Sequence, residues 1–349
     1  MKQRLVGLDL IRGLCALAVM IYHYTYLAGD GALLGFGTFG VYIFFALSGF
    51  ALFYVYADRP IDEAWLREFY ISRIFRIFPL FAAVAIYRSW GFGFDPYHLM
   101  RLLAHATPLA GLADPKAFTL VVGGWSVLVE WSFYLLFPAL LLFRSTKALT
   151  ALFIFTVVVN YLYVLGAYYP PDNIRAGREF SYSDTMTFLC FFVGGMLGAH
   201  IFATRPDLMS FVARMQHPLL GALLVMSVIF AWPELVQYPN RMQFLSGPNA
   251  SVLVVLSCVV VFLGALENPT GWLHRVSVFL GDISFALYLI HVYVWNWIGK
   301  LADFDSVWTH SIIAGLVTIA LSKLIHFGFE SPLRNIRKWR TLRVKAGHN

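Results

Sequence analysis

Residues 8–27 read LDLIRGLCALAVMIYHYTYL, and the reading of that stretch decides the fold. About 20 predominantly apolar residues cross a bilayer as a helix, yet this run carries Asp9, Arg12 and His23. Eleven positions separate Arg12 from His23. On an α-helix that spacing leaves them about 20° apart around the axis and about 16 Å apart along it. One face therefore presents ionisable groups at two depths. Such groups are expensive in hydrocarbon and face a bundle interior or a water-filled path, which makes the face a functional candidate. The bland alternatives are an interfacial His23 bonded to a carbonyl, and an Arg12 that snorkels or pairs with Asp9 at i,i+3.

The whole chain agrees with a membrane reading. Its 349 residues are 59% hydrophobic, 17% aromatic and 13% charged, with mean hydropathy +0.69, which excludes an ordinary soluble domain. The net charge of +7 is scattered between apolar runs, as expected of basic residues beside a membrane rather than of a nucleic-acid footprint. Cys15, Cys190 and Cys258 lie in apolar runs without metal-ligand spacing and are expected as buried free thiols. The first run carries Asp9 and Arg12 and lacks a small-residue cleavage site, so it is expected to be kept as a helix rather than removed as a signal.

About ten spans are expected: Leu8–Leu27, Val41–Tyr56, Leu80–Trp90, Gly123–Phe143, Ala148–Tyr168, Thr185–Ala203, Pro218–Leu235, Asn249–Leu266, Val278–Ile298 and Trp308–Phe327. Lys2 and Arg4 before the first span, with Arg334, Arg337, Lys338, Arg340, Arg343 and Lys345 after the last, put both termini in the cytoplasm by the positive-inside rule. The fold class is thus all-α and polytopic, one integral-membrane domain over residues 1–345 with a disordered tail at 346–349.

Between the second and third spans lies a basic segment, expected as a cytoplasmic loop with an interfacial helix that places Trp65 and Phe69 on one face. Arg73 and Arg76 stand at i,i+3 just before Pro79. They suit either forked hydrogen bonds to a phosphorylated ligand or anchorage on anionic lipid. In the outer segment that follows, His98, Arg101 and His105 suggest an amphipathic helix, a solvated face or an acceptor surface. Glu130 is the carboxylate inside the fourth span and must be neutral or paired, with Arg12 or His23 as partners. Ser284, Tyr288 and His291 form a polar stripe on the ninth span, for helix-to-helix bonding or as a second wall of the His23 site. Ala46, Ser48 and Gly49 allow close packing of the second span.

These residues carry a family resemblance. Leu8, Asp9, Arg12, Gly13 and His23 match the opening element of the membrane acyltransferase 3 family. Gly40 to Phe50, then Arg73, Arg76, Ile77 and Pro79, then Trp125, Ser126 and Glu130, then Ser284, Tyr288 and His291, and finally Glu330 and Pro332 match the others in order. Leu10 replaces the glycine usual after the aspartate, and the hydrolase-like domain of some members is not found here. The chain thus resembles bacterial integral-membrane O-acyltransferases that decorate sugars. The resemblance implies transfer of an acyl group, most often acetyl, from a coenzyme A thioester to a hydroxyl of an extracytoplasmic carbohydrate or lipid-linked glycan.

On that reading the protein sits in the bacterial inner membrane among lipid. It takes acetyl-CoA as donor and needs no metal and no nucleic acid. Arg73, Arg76 and Arg12 hold the donor, and His23 acts as general base with Glu130 holding its tautomer and Arg12 on the same catalytic face. Ser48, Trp125, Tyr288 and His291 are weaker substrate-binding candidates. An acyl-histidine intermediate is the competing chemistry. A transporter using Arg12, His23 and Glu130 as a proton or substrate path, or a non-catalytic relative, are the rivals from other classes.

Overall fold

A computed structural model of the chain describes residues 2–29, 34–90, 96–105, 107, 109–168, 183–214, 220–221, 224 and 247–333. Among the described residues every regular element is helical. In chain order they are α1 (Val6–Leu27), α2 (Leu34–Tyr56), α3 (Glu63–Trp90), the short α4 (Pro96–Ala104), α5 (Leu109–Ala113) and α6 (Pro115–Phe118), α7 (Gly124–Leu140) and α8 (Thr146–Tyr168). There follow α9 (Thr185–Thr204), α10 (Pro206–Ala213), α11 (Gly247–Leu266), α12 (Gly271–Leu301), α13 (Val307–Ile325) and one π-helical turn, His326–Glu330. Seven of these, α1, α2, α3, α8, α9, α12 and α13, are long and apolar enough to cross a membrane, and α7 and α11 are shorter apolar helices. The span expected at Pro218–Leu235 lies almost entirely outside the described residues, as do the basic tail from Arg334 and residues 346–349.

The third span differs from expectation. Instead of a surface loop followed by a short crossing at Leu80–Trp90, one helix of 28 residues runs from Glu63 to Trp90. Its start is fixed by the Asp62 carboxylate, which accepts the Trp65 N–H at 2.7 Å and so satisfies an otherwise orphan donor. Trp65, Phe69, Ile77, Leu80, Phe81 and Val84 are then buried along it, a helical stripe that carries it through Pro79, where one backbone bond is lost. Trp65 and Phe69 do share a face, but they stack on each other at 5.3 Å, with Tyr56 edge-on to Trp65 and Phe137 stacked on Phe69. That face points into the protein and not onto a membrane surface.

The bundle is built around α1, which lies against α12 and α2, while α2 lies against α9. The crossing of α1 on α12 is close: a Cβ on Gly281 would fall 2.6 Å from Asp9 Cβ. At the other end of α1, the Tyr24 hydroxyl donates to the His291 carbonyl at 3.1 Å. The two helices therefore run parallel, and the polar positions of α1 are matched in order by those of α12. In α2 the small residues divide their work, with Gly49 facing the Phe192 carbonyl of α9 and Ser48 turned to Glu130 of α7.

Candidate active site

At the N-terminal end of α1, Arg4 ties two helices together. Its Nε lies 2.5 Å from Asp9 Oδ2 and its Nη2 lies 2.9 Å from Asp282 Oδ1 on α12. Burial opposes the Arg4 charge, but its bonds to Asp9 and Asp282 outweigh this and raise Arg4 above the usual arginine value. Arg12 sits one turn further along, with Nη1 3.8 Å from Asp9 Oδ1. Asp9 itself is buried, so its charge is held by the two guanidiniums rather than by water.

Arg4, Asp9 and Arg12 form the mouth of a cavity of about 340 Å³, within the size range of small-molecule sites. Its wall continues through Arg76 of α3, Ser48 and Phe44 of α2, Glu130 and Ser126 of α7, Tyr288 of α12 and Glu330 of the π-helical turn. Glu130 Oε1 accepts the Ser48 hydroxyl at 2.5 Å and also the Tyr134 hydroxyl. Arg12 and Arg76 both lie within electrostatic reach of it. Glu330 bonds through Oε2 to His326 Nδ1 at 3.1 Å. π-helical turns are rare and often found at functional sites, and this one delivers a carboxylate to the cavity wall.

At the far end of the cavity the Tyr288 hydroxyl lies 2.7 Å from Ser126 Oγ and 3.0 Å from the Gly123 carbonyl. Gly123 adopts φ +73°, a left-handed conformation that glycine takes without strain. This turn starts α7 against the Tyr288 hydroxyl. The Tyr288 ring stands between Phe44 of the cavity wall, 6.0 Å away, and His291, 6.2 Å away. Beyond it His291 Nε2 meets His23 Nδ1 at 3.0 Å, and His23 Nδ1 also lies 3.0 Å from the Val19 carbonyl.

The structure thus sorts the residues singled out from the sequence. Arg12, Arg76, Ser48, Glu130 and Tyr288 share one cavity, and His23 and His291 form a pair beyond its inner end. Glu130 was expected to hold the His23 ring; instead His291 lies against that ring, while the Glu130 carboxylate bonds to Ser48 and Tyr134. Arg73 does not join Arg76 in the cavity wall. Its guanidinium lies over the Phe69 and Tyr134 rings at 5.7 and 5.4 Å and bonds Ser72 Oγ at 3.0 Å, because aromatic faces attract it more closely than its i+3 neighbour's side of the helix. Trp125 packs between Phe45 and Phe188.

His105 is a further departure. A solvated or acceptor-facing side chain was expected, but the ring is fully buried and packs on Phe81 at 4.6 Å. Its Nδ1 donates to the Arg101 carbonyl at 2.7 Å and its Nε2 accepts the Leu120 N–H at 3.1 Å, while Arg101 reaches the Thr119 carbonyl. Both residues hold the strand of chain that leads into Gly123. Burial depresses His105 below the usual histidine value.

Arg4, Asp282 and Tyr134 belong to this region and were not singled out from the sequence. Arg4 reads there as a topology signal, and Asp282 and Tyr134 gain meaning only from their partners. Spacing could have pointed to Tyr134 alone, which stands at i+4 from Glu130 on α7.

The chain is similar to known proteins over nearly its whole length. The family model described as an acyltransferase domain matches residues 5–327. A protein of the Acidianus two-tailed virus, provisionally named an acetyltransferase, is 26% identical over 351 residues, covering 96% of this chain and 91% of the viral protein. A Bacillus subtilis (strain 168) protein, provisionally named a peptidoglycan O-acetyltransferase, is 24% identical over 393 residues, covering 97% of this chain. The chain spans 58% of the length of that Bacillus protein. No solved structure matches the chain.

Proposed function

Because the chain belongs to this acyltransferase family, matched over residues 5–327, and carries its polar residues inside a multi-pass membrane bundle, we propose that it is an O-acyltransferase with two half-sites joined by one face of α1. The donor is an acyl-coenzyme A, acetyl-CoA in the simplest case, and the acceptor is a hydroxyl of a carbohydrate or lipid-linked glycan. The observation that carries this reading is the arginine-lined cavity at one end of α1 and the histidine pair at the other. Lys2 and Arg4 ahead of α1 favour a cytoplasmic donor end, in a bacterial inner membrane or its equivalent.

Arg4, Arg12 and Arg76 supply the cations a nucleotide phosphate needs. A guanidinium has five N–H donors, so Arg4 can keep Asp9 and Asp282 and still bond phosphate oxygens. Asp9, Asp282, Glu130 and Glu330 balance the arginines while the cavity holds no anion. The pantetheine arm then runs inward past Ser48 and Phe44 toward Tyr288. At its end His23 takes the proton of the acceptor hydroxyl as that oxygen attacks the thioester carbonyl. The tetrahedral intermediate expels the thiolate, which takes a proton from the imidazolium, and general-base catalysis of this kind contributes about 10² to 10⁴ in rate.

The deciding experiment follows release of free coenzyme A from acetyl-CoA by the protein in proteoliposomes, with a crude envelope-glycan extract as acceptor. Wild type is expected to release it, His23→Ala to abolish release, and Arg76→Ala chiefly to raise the donor KM. Solute transport by a wild type that turns over no acyl-CoA would replace this reading with a transporter. Rapid-quench labelling distinguishes the chemistry: acyl label trapped on the protein, and lost in His23→Ala, would establish an acyl-histidine in place of the general base.

A further inference from the structure

The cavity changes character along its length. Arg4, Asp9 and Arg12 make its mouth charged, and Ser48 and Glu130 make its middle polar. Phe44 stands four positions before Ser48 on α2, about one helical turn further inward, and with Val41 it gives the inner end an apolar wall. Tyr288 bounds that end from the other side, its ring edge-on to Phe44 at 75° with centroids 6.0 Å apart, a contact geometry for two aromatic rings. Neither side is free to yield. The Tyr288 hydroxyl is tied to Ser126 Oγ at 2.7 Å and to the Gly123 carbonyl at 3.0 Å. On α2 the Ala46 carbonyl lies directly against Gly195 of α9, so the backbone that carries Phe44 has no room to withdraw.

We infer that Phe44 is the residue that sets the length of the acyl group: its ring, packed against Tyr288, ends the cavity and selects acetyl over longer chains. The inference rests on the acyl transfer proposed above. With the nucleotide phosphates among the arginines and the pantetheine arm running inward, the thioester comes to the inner end. Its carbonyl lies on the Tyr288 side, toward the histidine pair, and the acyl tail is left to face Phe44. An apolar wall suits a hydrocarbon tail, whereas a charged one would be stranded there without a partner. Each further methylene has to push into a close-packed wall whose relaxation requires α2 to shift or Tyr288 to lose its bonds. A hydrophobic pocket separates substrates that differ by one methylene by about 10- to 200-fold, and this wall has the shape to do so.

The test measures kcat/KM for coenzyme A release from acetyl-, butyryl- and hexanoyl-CoA in proteoliposomes, with the same acceptor extract throughout. Wild type is expected to favour acetyl-CoA over butyryl-CoA by at least about 10- to 200-fold. Phe44→Ala is expected to narrow that gap about tenfold or more, and Phe44→Leu, which removes less volume and keeps an apolar side chain in the wall, to narrow it in part. Phe285 lines the same cavity three positions before Tyr288 on α12, about one turn nearer the mouth. Phe285→Ala is therefore expected to change all three donors alike. A wild type that uses the three donors equally well, a gap unchanged in both Phe44 variants, or a gap narrowed as much by Phe285→Ala overturns the inference and leaves the acyl-transfer reading standing. So does loss of all release in both Phe44 variants, since a residue that only limits chain length is not needed for turnover of the acetyl donor. A wild type that releases coenzyme A from none of the three donors strikes the acyl-transfer reading itself, and the inference falls with it.

Discussion

Arg4 and Asp282, separated by 278 positions in the chain, meet at 2.9 Å while the same guanidinium holds Asp9 at 2.5 Å. The contact joins the start of α1 to α12 in the cavity wall through a residue that lies outside the first span. Replacing Arg4 by Gln removes a cation from the donor end and leaves the buried Asp9 to Arg12 alone. The expected result is a donor KM raised about tenfold with kcat changed little, since a mouth residue contributes uniform binding rather than transition-state stabilisation. An unchanged KM for acetyl-CoA would remove Arg4 from the donor site.

Tyr134 and Ser48 both donate to Glu130 Oε1. Hydrogen bonds to a charged group contribute about 1.5–3 kcal/mol, so Tyr134→Phe is expected to lower the thermal midpoint of the detergent-solubilised protein. Differential scanning fluorimetry of the variant against wild type measures the effect, and a midpoint equal to wild type contradicts it.

Gly123 offers a conformational test. At φ +73° an added Cβ would lie 3.2 Å from the Tyr288 hydroxyl, and a non-glycine residue in the left-handed region costs roughly 1–2 kcal/mol. Gly123→Ala is expected to destabilise the protein by about that amount and to cut turnover, because Tyr288 is displaced from between the cavity and His291. Tyr288→Phe should lose turnover with less loss of stability, and comparing the two by melting and by coenzyme A release separates displacement from strain.

His105 makes stability depend on pH with a defined sign. Burial holds its folded-state value below the usual one, so between the two values the unfolded chain binds the extra proton and stability falls as pH falls. The penalty sets in below about pH 6.5, the unperturbed histidine value, and deepens until the folded-state value is reached. Melting midpoints should therefore drop between about pH 7 and pH 5 in wild type and drop less in His105→Gln, where no imidazole titrates. Parallel curves for the two proteins would show that the ring does not titrate in this window.

Much of the candidate site could be read from local spacing. Arg12 and His23 share a face because 11 residues close almost onto whole helical turns. Ser284, Tyr288 and His291 fall on one stripe through helical spacing too, and that stripe faces the cavity at Ser284 and Tyr288 and α1 at His291. Arg73 and Arg76 show where such reasoning ends. Their i,i+3 spacing puts the Cα atoms on one side of α3, but the side chains are long enough to choose different partners, and Phe69 with Tyr134 drew one of them away.

What the sequence alone determined is whatever depends on helical periodicity and on the cost of burying polar groups in hydrocarbon: an all-helical membrane chain, a polar face on its first helix, and a family resemblance carried by residues along it. What the tertiary structure decided is which polar group meets which. Glu130 was free to pair with His23 on any argument from the sequence; the packing of α7 beside α2 gave it Ser48 instead, and Tyr134 reaches it from one turn along α7 itself. His291 took the place beside His23 because α1 and α12 run parallel and close at Gly281, which brings their polar positions level. Such pairings are set by helix register and crossing, and those depend on the fit of every side chain between two helices rather than on any one motif.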